Sequence, residues 1–181
     1  PKGGFPMEGV REDDPNDVIP HEHRRELRGL RVLSAWLNHT DMKEDNTLDM
    51  YVTEGERRFL RHYFVDFGEA LGSHGAEKGR LEDGYEHYWD WELQTRALLS
   101  LGLWTRPWEE LQDTGFKSLG VFTAEGFDPA VWREAYPYYP LMEMDRTDAF
   151  WGAKIVTRFT REQIEAVVRE GRFSEPGASL H

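Results

Sequence analysis

The stretch His39-Thr40-Asp41-Met42-Lys43-Glu44-Asp45-Asn46 sets a carboxylate, a cation and a neutral amide in fixed order within eight residues. Twenty positions beyond Asn46 stands Asp66-Phe67-Gly68. These residue types suit phosphoryl transfer. That reaction needs a carboxylate to orient an attacking hydroxyl and accept its proton. It needs a neutral oxygen and a second carboxylate to hold magnesium against nucleotide phosphates, and a cation near the phosphoryl in flight. Asp41, Asn46, Asp66 and Lys43 supply these in turn. Taken singly the residues are bland: Asp and Asn favour turns, and Asp66 before Phe-Gly reads equally as the end of a strand. The weight lies in the combination and its order. His39 reads as a structural residue bonded to the backbone of the Asp66 loop, and Glu69 as solvent-facing.

The flanking pattern places these residues on loops between regular elements. Leu27, Leu30, Leu33 and Leu37 recur at helical spacing and predict a helix from His23 to about Asn38. Residues 38–46 are polar and read as a loop. Leu48, Met50 and Val52 alternate with polar neighbours as a half-buried strand does, Glu54-Gly55-Glu56 is a turn, and Phe59 to Val65 is a second strand pairing as a hairpin. The second half reads as helical. Tyr85, Trp89, Leu93, Ala97 and Leu101 form an apolar row expected to lie in the core, with Gly102 as a cap. Residues 103–144 read as short helices and loops. A helix starts near Asp145 or Thr147, with Trp151, Ile155 and Phe159 on one side. Thr160-Arg161-Glu162-Gln163 opens a last helix with Ile164, Val167 and Val168 inward, ending at Gly171.

The motifs resemble the protein-kinase-like superfamily. Its catalytic loop runs His-x-Asp-x-Lys-x-x-Asn and its metal loop is Asp-Phe-Gly. Both stand here in order, with a helix before and a hairpin between. Leu37-Asn38-His39-Thr40-Asp41 after an apolar helix is closest in style to atypical bacterial kinases of the HipA group and to phosphatidylinositol-kinase-like proteins. The resemblance implies an α+β fold, a mostly helical C-terminal lobe with a small hairpin carrying the metal loop. It implies Asp41 and Lys43 as catalytic residues, Asn46, Asp66, Phe67 and Gly68 in the nucleotide site, Asn46 and Asp66 as metal ligands, and ATP and Mg2+ as cofactors. By motif it covers residues 23–73. The gap between Asn46 and Asp66 is longer than in typical eukaryotic protein kinases, and no Ala-Pro-Glu follows Asp66.

No Gly-x-Gly-x-x-Gly loop and no strand Lys precede Asp41, and forty residues are too few for a nucleotide-clamping N-lobe. The chain opens Pro1-Lys2-Gly3-Gly4 and reads as a piece of something longer. The expectation is a lobe over 23–173, between a loop or linker at 1–22 and a tail at 174–181. The N-lobe would come from the parent chain or a partner chain, and the fragment alone would be inactive. The acceptor is a hydroxyl of a protein, a lipid or a small molecule. The rival reading from another class is a pseudokinase-like scaffold that keeps the shape and lacks turnover.

A net charge of −12 over 181 residues repels phosphate backbones and anionic membranes, so nucleic acid is not the expected partner. No apolar run is long enough to span a bilayer. There is no cysteine, which excludes disulfide and thiolate chemistry and leaves the compartment open. His21-Glu22-His23 lacks the four-residue spacing of helical zinc ligands. Arg24, Arg25, Arg28 and Arg31 read as a helix face paired with nearby acids.

Overall fold

A computed structural model describes residues 2–75, 77–117, 119–121, 127–175 and 177–178. It is an α+β chain with five α-helices and two small antiparallel hairpins among the described residues. Helix α1 is Arg25–Leu37. It stops where Asn38 adopts a left-handed conformation (φ 47°, ψ 41°). The Asn38 amide bonds the Ala35 carbonyl, and the His39 amide bonds the Ser34 carbonyl at 2.8 Å. This is the Schellman arrangement, and Asn is among the few residues that occupy its left-handed position at little cost.

Strands β1 (Thr47–Glu54) and β2 (Arg57–Phe64) form the predicted hairpin, paired in unbroken register from Thr47 opposite Phe64 to Glu54 opposite Arg57. The face turned inward differs from the sequence reading. Thr47 and Asp49 are buried, while Leu48, Met50 and Val52 are only half-covered. The reason is the N-terminal segment. Gly3 bridges to Asp49, the Lys2 amide bonds the Asp49 carbonyl, and Arg11 Nη1 reaches the buried Asp49 carboxylate at 2.7 Å. His62 bonds the other oxygen of Asp49. Residues 2–20 thus form no helix or strand of their own, yet Phe5 and Met7 join Leu27, Phe64 and Tyr138 in the core. His21 is buried here, with Asp17 at 2.7 Å and the Pro6 carbonyl on its two ring nitrogens.

Strands β3 (Ser73–His74) and β4 (Glu77–Lys78) make a minor hairpin. Helix α2 is Trp91–Leu99, shorter than the apolar row starting at Tyr85 predicts. Asp90 caps its start by accepting from the Leu93 amide at 3.1 Å, and Gly84 (φ 90°) breaks the backbone ahead of it. The row is also not core: Trp89 and Leu101 are exposed, and α2 buries no residue.

Helix α3 is Tyr139–Met142, α4 is Arg146–Val156 and α5 is Arg161–Glu170. Helices α4 and α5 both open on capping boxes, at Asp145 and Thr160. Helix α4 packs on α1 through glycine: a Cβ on Gly29 would sit 2.7 Å from the Trp151 ring, and one on Gly152 would sit 2.6 Å from the Gly29 carbonyl. Arg28 clamps the buried Asp148 at 2.6 and 3.2 Å across the same seam. Helix α5 does not turn Ile164 and Val167 inward; both are exposed. Of the expected tail, residues 176 and 179–181 lie outside the described residues, as do 118 and 122–126 of the tract read as short helices and loops. No helix among the described residues is long and apolar enough to cross a membrane.

Candidate functional site

The loop after α1 is held from both ends. At its start, the buried Asn38 side chain accepts from Trp132 Nε1 at 2.9 Å and donates to the Asp83 carbonyl at 3.3 Å. The Thr40 carbonyl accepts from the Ala135 amide at 3.0 Å, and Arg31 reaches the Trp132 carbonyl at 2.6 Å. Residues 132–135 therefore brace the loop from beneath. The sequence offers no periodic signal for them, because they belong to no helix or strand.

At its end, Asn46 does two jobs. Its side-chain Nδ2 donates to the Asp41 carboxylate Oδ2 at 2.8 Å and to the Asp41 carbonyl at 2.9 Å. Its own carbonyl accepts from the Val65 amide at 2.9 Å. The twenty-residue interval is thus filled by two equal strands and a tight turn, which return the chain to Asn46 one residue before Asp66. Lys43 Nζ lies 2.8 Å from the same Asp41 Oδ2. That contact and its hydrogen bond raise the Lys43 ammonium above its ordinary value, so it stays charged. Asp41 Oδ1 carries no hydrogen bond among the described residues and is the open oxygen of the pair.

Asp66 takes a left-handed conformation (φ 62°), and its Oδ1 accepts from the Gly68 amide at 3.1 Å. This tight local turn leaves Oδ2 free. Phe67 is 54% exposed and lies against the His39 ring, with centroids 5.1 Å apart. His39 is buried, and neither ring nitrogen makes a hydrogen bond with good geometry, although the Glu69 backbone lies near enough to favour the charged form. The backbone contact expected of His39 is thus present only as a close approach to Glu69. Burial pushes the imidazole below its ordinary value, only partly offset by the Asp41 and Asp66 carboxylates. Both carboxylates act on one ring, so the two loops share one neighbourhood.

Glu69 is not the free surface residue expected. It is half-buried, and burial, then Asp41 and Asp83, raise its carboxyl above the ordinary range. Asp83 is raised too, first by burial. Tyr88, under the Arg80 guanidinium, is pushed up to about 12 by burial and by Glu69 and Asp83. The region is strongly electronegative, with Lys43, Arg80 and His74 as the nearby positive or protonatable groups. Bare polyphosphate would be repelled from it; phosphate neutralised by a divalent cation would not.

Among the described residues no three His, Asp or Glu side chains gather as a metal cluster. The implied magnesium site asks for less: one carboxylate and one neutral oxygen, with phosphates and water completing the shell. The Asn46 amide uses only its nitrogen, and Asp66 keeps one oxygen free, so each retains the oxygen that such a site would use. No protein-family model, curated protein or solved structure matches this chain.

Proposed function

We propose that this chain carries the catalytic centre of a kinase-like phosphotransferase, moving the γ-phosphoryl of ATP to a hydroxyl acceptor. The observation that supports it best is the double use of Asn46. One side-chain nitrogen fixes the Asp41 carboxylate, and the same residue's carbonyl pins the strand that delivers Asp66. An accidental pair of turn motifs has no reason to be joined through the residue that the motif makes a metal ligand.

In this reading the acceptor hydroxyl bonds Asp41 Oδ1 and gives it a proton as its oxygen forms the new P–O bond. The bond from the γ-phosphorus to the bridging oxygen breaks, and ADP leaves. Lys43 holds Asp41 Oδ2, so the carboxylate cannot swing away, and its charge faces the transferring oxygens. Asn46 Oδ1 and Asp66 Oδ2 would hold magnesium, which when bound neutralises the phosphates. Val65, Phe67 and Leu71 are exposed around Asp66, an apolar rim suited to an N-lobe from the parent protein or a partner.

The test is made in the full-length protein, with nucleotide affinity measured with and without magnesium beside single-turnover phosphorylation. Asp66→Asn should lose the magnesium-dependent part of ATP affinity. Asp41→Asn should keep it and lose transfer by about 10²–10⁴-fold. If the parent binds ATP without detectable transfer, the scaffold reading replaces the catalytic one.

A further inference from the structure

A cleft of about 430 Å³ opens beside Lys43, within the range of small-ligand sites. Lys43, Glu44 and Asp45 form one wall, Pro137 to Pro140 the other, and Glu8 the end. Lys43 is the residue bonded to Asp41, so one lining residue of the cleft touches the proposed base.

The charge of its lining is unbalanced. Lys43 is compensated by Asp41, and Glu44 Oε1 accepts from the Met7 amide at 3.1 Å. Glu8 and Asp45 are exposed and make no hydrogen bond or ion pair among the described residues. The phenol of Tyr138 is raised by burial and then by Glu44, Glu8 and Asp45, which line the same cleft. Tyr139 presents a half-exposed ring on the same wall. A cation in this space meets carboxylates and aromatic faces together.

We infer that this cleft seats the phosphoryl acceptor and takes one carrying an ammonium or guanidinium group. Size and contact with Lys43 identify the cleft; the carboxylates and tyrosines decide its ligand. That the ligand is the acceptor rests on the phosphotransferase reading; that the cleft binds cations does not. An anionic lipid head group is the acceptor it excludes.

The test is calorimetric titration of the whole chain, without ATP, with three probes: a serine hexapeptide flanked by arginines, the same peptide with glutamates instead, and glucosamine. The arginine peptide or glucosamine should bind, and the Glu8→Gln/Asp45→Asn double variant should weaken that binding about tenfold. The glutamate peptide should not bind. Binding of the arginine peptide alone points to a protein acceptor, and of glucosamine alone to a small molecule. Unchanged affinity in the double variant, equal binding of the glutamate peptide, or no binding of either cationic probe overturns the inference. If a cationic probe binds through Glu8 and Asp45 but receives no phosphoryl from ATP in the full-length protein, the cation site stands and the phosphotransferase reading fails.

Discussion

Asn46 donates to Asp41 Oδ2 at 2.8 Å, and both residues are buried. One amide group thus fixes the oxygen that Lys43 also holds, and Oδ1 carries no hydrogen bond among the described residues. Asn46→Ala removes both bonds to Asp41 and strands a buried carboxylate beside Lys43 alone. The expected loss of stability is about 1–3 kcal/mol, read from urea midpoints at constant slope. Asn46→Asp should be worse at neutral pH, because two carboxylates would then meet, and should recover on acidification as one takes a proton. An Asn46→Asp variant as stable as the parent across this range would mean the contact does not bear on Asp41.

The seam between α1 and α4 is set by missing side chains. Gly29→Ala places a methyl 2.7 Å from the Trp151 ring. Although alanine favours helix, the overlap should dominate and destabilise by about 1–3 kcal/mol. A more stable variant would show that the helices have room to part.

His39 supplies a pH dependence. In the folded protein its imidazole lies below the ordinary value of 6.5, because burial disfavours the charge. The unfolded chain takes up a proton near 6.5, so in acid it binds more protons than the folded state, and stability falls as pH falls through that region. His39→Gln should lose less stability than the parent between about pH 7.5 and pH 5.5. Equal losses in the two proteins would remove His39 as the cause.

Much of this arrangement is legible in the sequence where local rules act alone. Helix α1, the hairpin, the start of α4 near Asp145 and the capping box at Thr160 follow from periodicity and cap chemistry. The contact of Asn46 with Asp41 and the return of the chain to Asn46 at Val65 follow from a regular hairpin that brings two loops together. Legibility ends where distant segments decide burial. Phe5 and Met7 have no periodic partners to betray them, and Asp49 turns inward only because Arg11 and His62 meet it there. The apolar row from Tyr85 fails for the opposite reason. Its spacing is helical, but Asp90 starts the helix later and nothing among the described residues covers Leu101. The brace from Trp132 to Ala135 carries no local signal either; the one clue is an indole that needs a partner when buried.

Under the proposed function, Asn46 and Asp66 jointly hold a metal–nucleotide complex beside Asp41. Paramagnetic broadening tests it without knowledge of the acceptor. Small amounts of Mn2+ with ATP, added to the isotopically labelled chain, should first erase the Asn46 side-chain amide signals and the backbone signals of Asp66, Phe67 and Gly68. Asp66→Asn should restore them. Broadening that needs no ATP, or that centres on Glu8 and Asp45 while the Asn46 and Asp66 signals persist, would contradict a metal–nucleotide site at Asn46 and Asp66.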